Sequence, residues 1–125
     1  MNTYYTLIFT LLLTLNLTAQ KVDEIKTIIL SKASSNYVNW VKHENINVLD
    51  AYTINNTDSI LALADAIILT GGEDINPLHY SDTLNLKVCG PIDYSRDTLE
   101  LKLFNYSFEN KIPLVGVCRG MQMMN

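Results

Sequence analysis

Four short runs rich in β-forming residues alternate with helical segments, and this alternation constrains the fold of the 125-residue chain most strongly. The runs are residues 26–30, 46–49, 66–69 and 112–117. Residues 66–69 are apolar without polar alternation, which is typical of strands covered on both faces in parallel sheets. With no internal repeat, the alternation predicts an α/β fold built on an open, doubly wound parallel sheet. Ligands of such folds bind at the carboxyl ends of the strands.

Helical spacing predicts the segments between the strands. Apolar residues within 37–41 are spaced to share one helix face. Residues 57–59 provide capping side chains for a short helix that follows them. A longer helix is predicted to begin with Ser95 as its cap and Asp97 in its first turn. The apolar stripe predicted to be buried on this longer helix consists of Leu99, Leu103, Phe104, Tyr106 and Phe108.

The amino terminus has the features of a secretory signal. All 9 basic and 13 acidic residues lie after Gln20. Residues 7–15 form an apolar segment, and residues 17–19 resemble a small-residue cleavage site. We therefore expect residues 1–19 to be a signal peptide cleaved near Ala19, and the mature protein to be exported without stable membrane association. The alternative is an uncleaved membrane anchor, although the apolar segment is shorter than the roughly 20 residues that span a bilayer.

Charge and cysteine content exclude several classes of function. The formal net charge is −4 with a sequence pI near 4.9, which argues against nucleic acid or an anionic membrane surface as the partner. Two cysteines are too few for a disulfide scaffold, and their spacing does not indicate a zinc site. Neither a metal nor another cofactor is predicted, which leaves chemistry on a small molecule as the leading class.

Residues 116–120 read Gly-Val-Cys-Arg-Gly, the spacing of a nucleophile elbow with cysteine in place of serine. In such an elbow the nucleophile occupies a strained turn between strand and helix, and small flanking residues let the backbone approach closely. The helix N-terminus and the charge of Arg119 would favour the thiolate of Cys118. Two alternatives remain open, namely that Cys118 is a buried structural residue or that it forms a disulfide with Cys89.

Gly71 and Gly72 follow the strand at residues 66–69, so they are expected at the same sheet edge as the elbow. Without side chains in the way, their backbone N–H groups could point at a developing oxyanion. The backbone N–H of Arg119, which follows Cys118, would complete such an oxyanion hole. A tight turn that requires positive φ is the alternative interpretation of the glycine pair.

Three sequence words, in order, carry a resemblance to a known family. They are Thr70-Gly71-Gly72-Glu73-Asp74-Ile75-Asn76-Pro77 with Tyr80, then Ser95-Arg96-Asp97 with Glu100, and then residues 112–122. With these words the chain resembles the γ-glutamyl hydrolase group of class I glutamine amidotransferase-like proteins, which includes the γ-glutamyl-γ-aminobutyrate hydrolases. The resemblance runs over residues 26–125. It implies a flavodoxin-like domain that cleaves γ-glutamyl amides with a Cys-His-Glu triad, through a thioester and without a cofactor.

Carried over position by position, the resemblance assigns roles to five residues. Cys118 is the nucleophile, and the backbone amides of Gly72 and Arg119 form the oxyanion hole. Gly71 and Gln122 contact a small γ-glutamyl substrate.

Arg96 and Asp97 receive no assigned role. A salt bridge at the helix start, with Asp97 as a partner of the helix dipole, is at least as well supported as contact with substrate.

The triad histidine and glutamate of the family lie downstream of the elbow, whereas this sequence ends at Asn125. Neither His43, expected on the first helix, nor His79, in the loop after the glycine pair, matches the family's histidine. We therefore expect the sequence to be the N-terminal part of a longer protein, with a fold that is incomplete at the C-terminus and inactive alone. Two alternatives are a glutaminase unit that feeds ammonia to a synthase and a degenerate protein without turnover.

Overall fold

Four parallel strands form one sheet in the order β2-β1-β3-β4. The computed structural model describes residues 23–80 and 89–125, so the signal peptide predicted at residues 1–19 lies outside the described residues. The strands are β1 (Lys26–Leu30), β2 (Ile46–Asp50), β3 (Ala66–Leu69) and β4 (Leu114–Gly116). This strand order, with parallel pairing throughout, is that of a flavodoxin-like sheet and confirms the predicted α/β fold.

Helices connect the strands and flank the sheet. They are α1 (Ser35–Val41), α2 (Thr57–Leu61), α3 (Tyr94–Asn110) and α4 (Arg119–Met124), with a 3₁₀ turn at Pro77–Tyr80. Within the described ranges, no helix has the length and apolar character needed to cross a bilayer.

The direction of chain progression reverses between β1 and β3, because β2 lies on one side of β1 and β3 lies on the other. Ile29 of β1 is in register with Leu49 of β2 and with Ile67 of β3. Clefts in doubly wound sheets open at such a switch point, at the carboxyl ends of the strands. The residues just after β1, β3 and β4 therefore meet at one edge of the sheet.

The core lies on the two central strands and on the helix that covers them. Ile29, Ile67, Leu69 and Leu103 are fully buried and belong to one apolar cluster. Burying a side chain of this size contributes about 1.5–3 kcal/mol. Both faces of β3 are covered, which explains why its sequence lacks polar alternation.

Both predicted helix caps were misplaced by a few residues. Asp93, rather than Ser95, is the N-cap of α3, and its side-chain oxygen accepts a hydrogen bond from the backbone N–H of Arg96 at 3.0 Å. Asn56, rather than a residue within 57–59, caps α2 through the N–H of Ser59. The sequence offers several adjacent capping side chains at each site, and the backbone conformation decides which one precedes the first helical residue.

The apolar stripe predicted for α3 is partly wrong. Leu103 is fully buried, but Phe108 is 80% exposed and stacks against Phe104 on the same helix. The remaining stripe residues, Leu99, Phe104 and Tyr106, are partly buried against the core. Much of the buried face of α3 is polar instead, with its buried polar residues being Arg96, Asp97, Glu100 and Ser107.

Candidate active site

Cys118 occupies the turn between β4 and α4, where it is the N-cap of the helix. Its backbone angles are φ 49° and ψ −103°, a conformation that non-glycine residues rarely adopt. The carbonyl of Cys118 accepts hydrogen bonds from the N–H groups of Met121 and Gln122 at 2.9 and 3.3 Å. Such a conformation costs about 1–3 kcal/mol and is retained when its surroundings enforce it. The turn therefore has the strained geometry that the elbow spacing predicted.

Both glycines of the elbow are required by close backbone packing. A β-carbon added at Gly120 would lie 2.2 Å from the carbonyl oxygen of Leu69 in β3. One added at Gly116 would lie 2.7 Å from the carbonyl carbon of Gly120. These distances leave no room for a side chain, so the spacing of Gly116 and Gly120 around Cys118 has a steric cause.

Cys118 is exposed, and neither it nor Cys89 forms a disulfide. Both alternatives for Cys118 are therefore wrong, because the thiol is neither buried in the core nor bonded to Cys89. An exposed thiol in a strained turn at the carboxyl edge of the sheet is accessible to a substrate.

The glycine pair after β3 lies directly beside the elbow. A β-carbon added at Gly71 would lie 3.7 Å from the β-carbon of Cys118 and 3.8 Å from the carbonyl oxygen of Val117. The N–H of Gly71 donates a hydrogen bond of 2.8 Å to the hydroxyl oxygen of Tyr37 on α1. The structure thus brings together the two sequence words predicted to form one site, and the amide of Gly71 already has a partner.

Gly72 is the exposed member of the pair and has a φ of 155°. A β-carbon at this position would lie 2.3 Å from Nη1 of Arg96, so a larger residue is excluded by sterics as well as by φ. Among the described residues, the backbone N–H groups of Gly72 and Arg119 have no hydrogen-bond acceptor. These two amides were predicted to bind the oxyanion, and that role stays a prediction.

Beneath the glycine pair lies a group of four buried ionised residues, named here the charge cluster. Its members, each no more than 2% exposed, are Arg96, Asp97, Glu100 and Arg119. One carboxylate oxygen of Glu100 accepts from Nε of Arg96 at 2.8 Å, and the other accepts from Nε of Arg119 at 2.9 Å. Nη2 of Arg119 donates to Asp97. Two cations and two anions leave no net charge in the interior, which is the condition for burying charge.

The charge cluster holds the loop that carries the glycine pair. Nη2 of Arg96 donates to the carbonyls of Thr70 and Gly71 at 2.8 and 3.0 Å. Nη1 of Arg119 donates to the carbonyls of Glu73 and Asp74 at 2.6 and 3.0 Å. The two guanidinium groups therefore fix four backbone carbonyls in the five-residue segment from 70 to 74. Sequence reasoning does not reveal this cluster, although its four residues lie in the sequence words that carry the family resemblance.

The side chain of Arg119 does not have the role expected of it. It is fully buried and paired with Asp97 and Glu100, so its charge is compensated and cannot act as a free cation beside Cys118. Arg96 and Asp97 do form salt bridges, as one interpretation held. In the interior, Arg96 pairs with Glu100 and Asp97 pairs with Arg119. Arg96 also lies 3.8 Å from the exposed carboxylate of Glu73.

Gln122 of α4 forms hydrogen bonds with the loop that follows β3. Its Oε1 accepts from the N–H of Ile75 at 3.3 Å, and its Nε2 donates to Oδ1 of Asp74 at 3.0 Å. Both ends of the amide are therefore engaged with protein groups. The contact between Gln122 and substrate stays a prediction.

A groove of about 220 Å³ opens beside the glycine pair. Its lining residues include Lys32, Tyr37, Gly72 and Glu73. The carboxyl pKa of Glu73 is lowered, first by a hydrogen bond from its own backbone amide and then by the charge of Lys32. Glu73 is therefore an anion at neutral pH, and the groove wall carries its carboxylate together with the positive side chains of Lys32 and Arg96.

Neither histidine is shown in contact with the elbow. His43 lies beyond the end of α1, and its carbonyl accepts from the N–H of Ile46 at the start of β2, at the amino edge of the sheet. The expectation that His43 lies on the helix is therefore wrong. His79 is in the 3₁₀ turn, with Nε2 3.5 Å from Oδ2 of Asp97. In the part of the chain that the structure describes, no three His, Cys, Asp or Glu side chains are grouped as metal ligands.

Comparison with known proteins gives consistent matches. The family model of Peptidase C26 matches residues 12–125. The chain is 38% identical over 78 residues to the glutamine amidotransferase-like protein YvdE of Lactococcus lactis subsp. lactis, covering 62% of this chain and 33% of that protein. It is 37% identical over 78 residues to the YvdE homolog of Lactococcus lactis subsp. cremoris, covering 62% of this chain and 41% of the homolog.

A third relative has a more specific name. The chain is 39% identical over 62 residues to the gamma-glutamyl-CDP-amidate hydrolase of Campylobacter jejuni subsp. jejuni, covering 50% of this chain and 26% of that enzyme. The chain thus spans no more than 41% of the length of any of these three relatives. Because the family match extends over most of its residues, the chain belongs to the Peptidase C26 family of class I glutamine amidotransferase-like proteins.

Proposed function

We propose that the intact protein hydrolyses γ-glutamyl amide bonds through a thioester on Cys118. The observation that carries this proposal is the juxtaposition of Cys118 with the glycine pair, where a β-carbon on Gly71 would lie 3.7 Å from that of Cys118. Family membership supports a hydrolase, and the Campylobacter relative is named for action on a γ-glutamyl compound.

In the proposed reaction, the thiolate of Cys118 attacks the γ-carbonyl carbon of the substrate and forms a tetrahedral oxyanion. The N–H groups of Gly72 and Arg119 donate hydrogen bonds to that oxyanion. When the C–N bond breaks, the amine leaves with a proton from a general acid, and a γ-glutamyl thioester remains on Cys118. Water, deprotonated by the same group acting as a base, then hydrolyses the thioester and releases glutamate and the free thiol.

We assign the acid–base role to a histidine in another segment of the intact protein. His43 is unsuited because it lies at the amino edge of the sheet, opposite the elbow. His79 faces Asp97, whose carboxylate is already bonded to Arg119 and to the N–H of Asn76. The family resemblance, which places the triad histidine downstream of the elbow, supports this assignment.

The groove beside the glycine pair suits the glutamyl part of the substrate. Free and N-terminal γ-glutamyl groups carry an α-ammonium and an α-carboxylate, and the groove wall carries the carboxylate of Glu73 and the ammonium of Lys32. Pairing each substrate charge with the opposite side chain would orient the γ-carbonyl toward Gly72. We therefore place the glutamyl group in this groove.

Replacement of Cys118 in the intact protein tests the proposal. With γ-glutamyl-p-nitroanilide as substrate, Cys118→Ala should abolish release of p-nitroaniline, because no thioester can form. Cys89→Ser is the matched control, since it removes the other cysteine without touching the elbow, and it should retain wild-type kcat. Unchanged hydrolysis by Cys118→Ala would refute the assignment of the nucleophile.

A second candidate function is a glutaminase unit that delivers ammonia to a synthase, which the amidotransferase-like names of the Lactococcus relatives favour. The two functions differ in the leaving amine. A hydrolase should accept γ-glutamyl amides with bulky amines, whereas a glutaminase unit should be confined to glutamine and should co-purify with a stoichiometric synthase. We rank the hydrolase first.

We also propose that the protein is exported after cleavage near Ala19, because the uncharged leader and the residues at 17–19 have signal-peptide character. Amino-terminal sequencing of the mature protein should begin at Gln20. Detection of residues 1–19 on the mature protein in the membrane fraction would support the uncleaved anchor instead.

A further inference from the structure

We propose that Arg96 is a positioning residue that sets the direction of the Gly72 N–H in the oxyanion hole. The inference rests on the proposed function and adds to it the residue that determines the geometry of one oxyanion donor. Arg96 itself is fully buried and contacts the loop from beneath.

The orientation follows from the hydrogen bond between Arg96 and the Gly71 carbonyl. Nη2 of Arg96 donates to this oxygen at 3.0 Å, and no cis peptide bond occurs in the described residues. In a trans peptide the C=O and the following N–H point in opposite directions. With the Gly71 carbonyl held toward Arg96, the N–H of Gly72 points away from the charge cluster and out of the interior.

The preceding peptide shows the same arrangement in full. The carbonyl of Thr70 accepts from Nη2 of Arg96 at 2.8 Å, while the N–H of Gly71 donates to Tyr37 at 2.8 Å on the other side. Arg96 therefore holds two successive carbonyls inward, and each following amide faces outward. One of these outward amides is bound by Tyr37, and the other, that of Gly72, is the predicted oxyanion donor.

Because residue 72 is glycine, a side chain from elsewhere in the chain is needed to fix the orientation of the peptide between Gly71 and Gly72. A glycine peptide lacks a β-carbon that would restrict its backbone angles, so either orientation is sterically open to it. Nη1 of Arg96 occupies the space that a β-carbon of residue 72 would need, at 2.3 Å. The glycine thus admits the guanidinium beneath the peptide, and the guanidinium then selects one orientation.

The planar fork of arginine is suited to this task. Nε of Arg96 is bonded to Glu100 at 2.8 Å, while Nη2 reaches the two carbonyls and the hydroxyl of Thr70. Lysine has a single nitrogen, which cannot bind Glu100 and both carbonyls from one position. Arg96→Lys therefore keeps the charge that the cluster needs and loses the fixed hold on the peptide.

The test compares Arg96→Lys with the wild-type intact protein on γ-glutamyl-p-nitroanilide. Loss of one oxyanion donor lowers kcat about 100-fold or more, and we expect a fall of that order with a much smaller change in KM. Alkylation of Cys118 by iodoacetamide passes through no oxyanion, so its rate should stay at the wild-type value. If Arg96 had a purely structural role, Arg96→Lys would change the rates of hydrolysis and of alkylation together, because both reactions use the thiol of Cys118.

Ser107→Ala is the matched control for stability. Ser107 is a buried residue of the same helix, and its hydroxyl donates to the carbonyl of Ile112 at 2.7 Å, outside the candidate site. This variant should lower the melting temperature without lowering kcat. Retention of wild-type kcat by a folded Arg96→Lys protein would overturn the inference and leave the proposed function intact. Absence of γ-glutamyl hydrolysis in the wild-type protein would instead refute the proposed function.

Amide exchange in the wild-type protein tests the orientation even if Arg96→Lys does not fold. The N–H of Gly71 is bonded to Tyr37 and should exchange slowly. The N–H of Gly72 faces outward without an acceptor in the described residues, so it should exchange at least about 10-fold faster. Equal protection of the two amides would contradict the proposed direction of the Gly72 N–H.

Discussion

The backbone of Gly120 packs directly against the carbonyl group of Leu69. A β-carbon at residue 120 would lie 2.2 Å from that carbonyl oxygen and 2.7 Å from the β-carbon of Leu69. The N–H of Val117 also donates to the same carbonyl at 2.9 Å. The start of α4 therefore packs on the end of β3, and this contact places Cys118 beside the loop that follows β3.

Gly120→Ala should destabilise the protein and displace the elbow, because the clash is with backbone that cannot rotate away. We expect a loss of about 1–3 kcal/mol in the free energy of unfolding, the range seen for overpacked interiors. Urea denaturation of the wild-type protein and of Gly120→Ala measures this loss. Gly90→Ala is the control, since a β-carbon there meets nothing within 4 Å, and its effect should stay within about 0.5 kcal/mol. Equal stability of the Gly120 variant and the control would contradict the packing described here.

Glu100→Gln should be strongly destabilising although it preserves shape. The amide can accept from one arginine, but its NH₂ group then faces the Nε donor of the other arginine, and that buried cation loses its bond to residue 100. Breaking a buried pair in this way costs about 3–5 kcal/mol.

The control for this prediction is Glu109→Gln, an exposed position on the same helix. Thermal unfolding should show a change within about 0.5 kcal/mol for that control. A similarly small change for Glu100→Gln would show that the charge cluster does not stabilise the fold.

Asp65 should contribute stability that is lost in acid. Its carboxyl pKa is lowered, first by the hydrogen bond from the backbone N–H of Thr27 and then by the ammonium of Lys26. Because the folded-state pKa lies below the unfolded one, the contribution is present above the unfolded pKa of about 4 and disappears as pH falls through the folded pKa.

Asp65→Asn should therefore lower the urea midpoint at pH 7 and flatten the decline of stability in acid. Glu44→Gln, at another exposed acidic position, is the control and should leave the profile unchanged. Superimposable stability profiles for the wild type and Asp65→Asn would exclude this carboxylate as a contributor.

Much of the sheet could be predicted from local sequence. Residues 26–30 and 66–69 are strands with the predicted bounds, because apolar runs covered on both faces leave a clear local signal. The last strand is shorter than predicted, at Leu114–Gly116. Its flanking residues still pair with β3, since the N–H of Ile67 donates to the carbonyl of Pro113.

The charge cluster could not be predicted from periodicity, because periodicity identifies only apolar faces. Glu100 and Arg119 are 19 residues apart, and Asn76 and Asp97 are 21 apart, so these partners become visible only when the helices are placed. The spacing of Arg96 and Glu100 at i and i+4 was the one local signal of a pair on α3.

The elbow was the most predictable part of the site. Its two glycines and its position after a strand required a sharp turn, and Cys118 has the strained backbone expected there. Gln122 was less predictable, since its bonds to Ile75 and Asp74 depend on how the loop after β3 crosses the start of α4.

Direct detection of the acyl-enzyme is the sharpest test of Cys118 as the nucleophile. The intact protein is mixed with γ-glutamyl-p-nitroanilide, quenched in acid within the first turnover, digested, and mapped by mass spectrometry. We predict that the peptide containing Cys118 gains the mass of one γ-glutamyl group, which hydroxylamine removes, and that the Cys89 peptide is unmodified. Hydrolysis of the substrate with no adduct on Cys118, or with an adduct on another residue, would contradict the thioester mechanism.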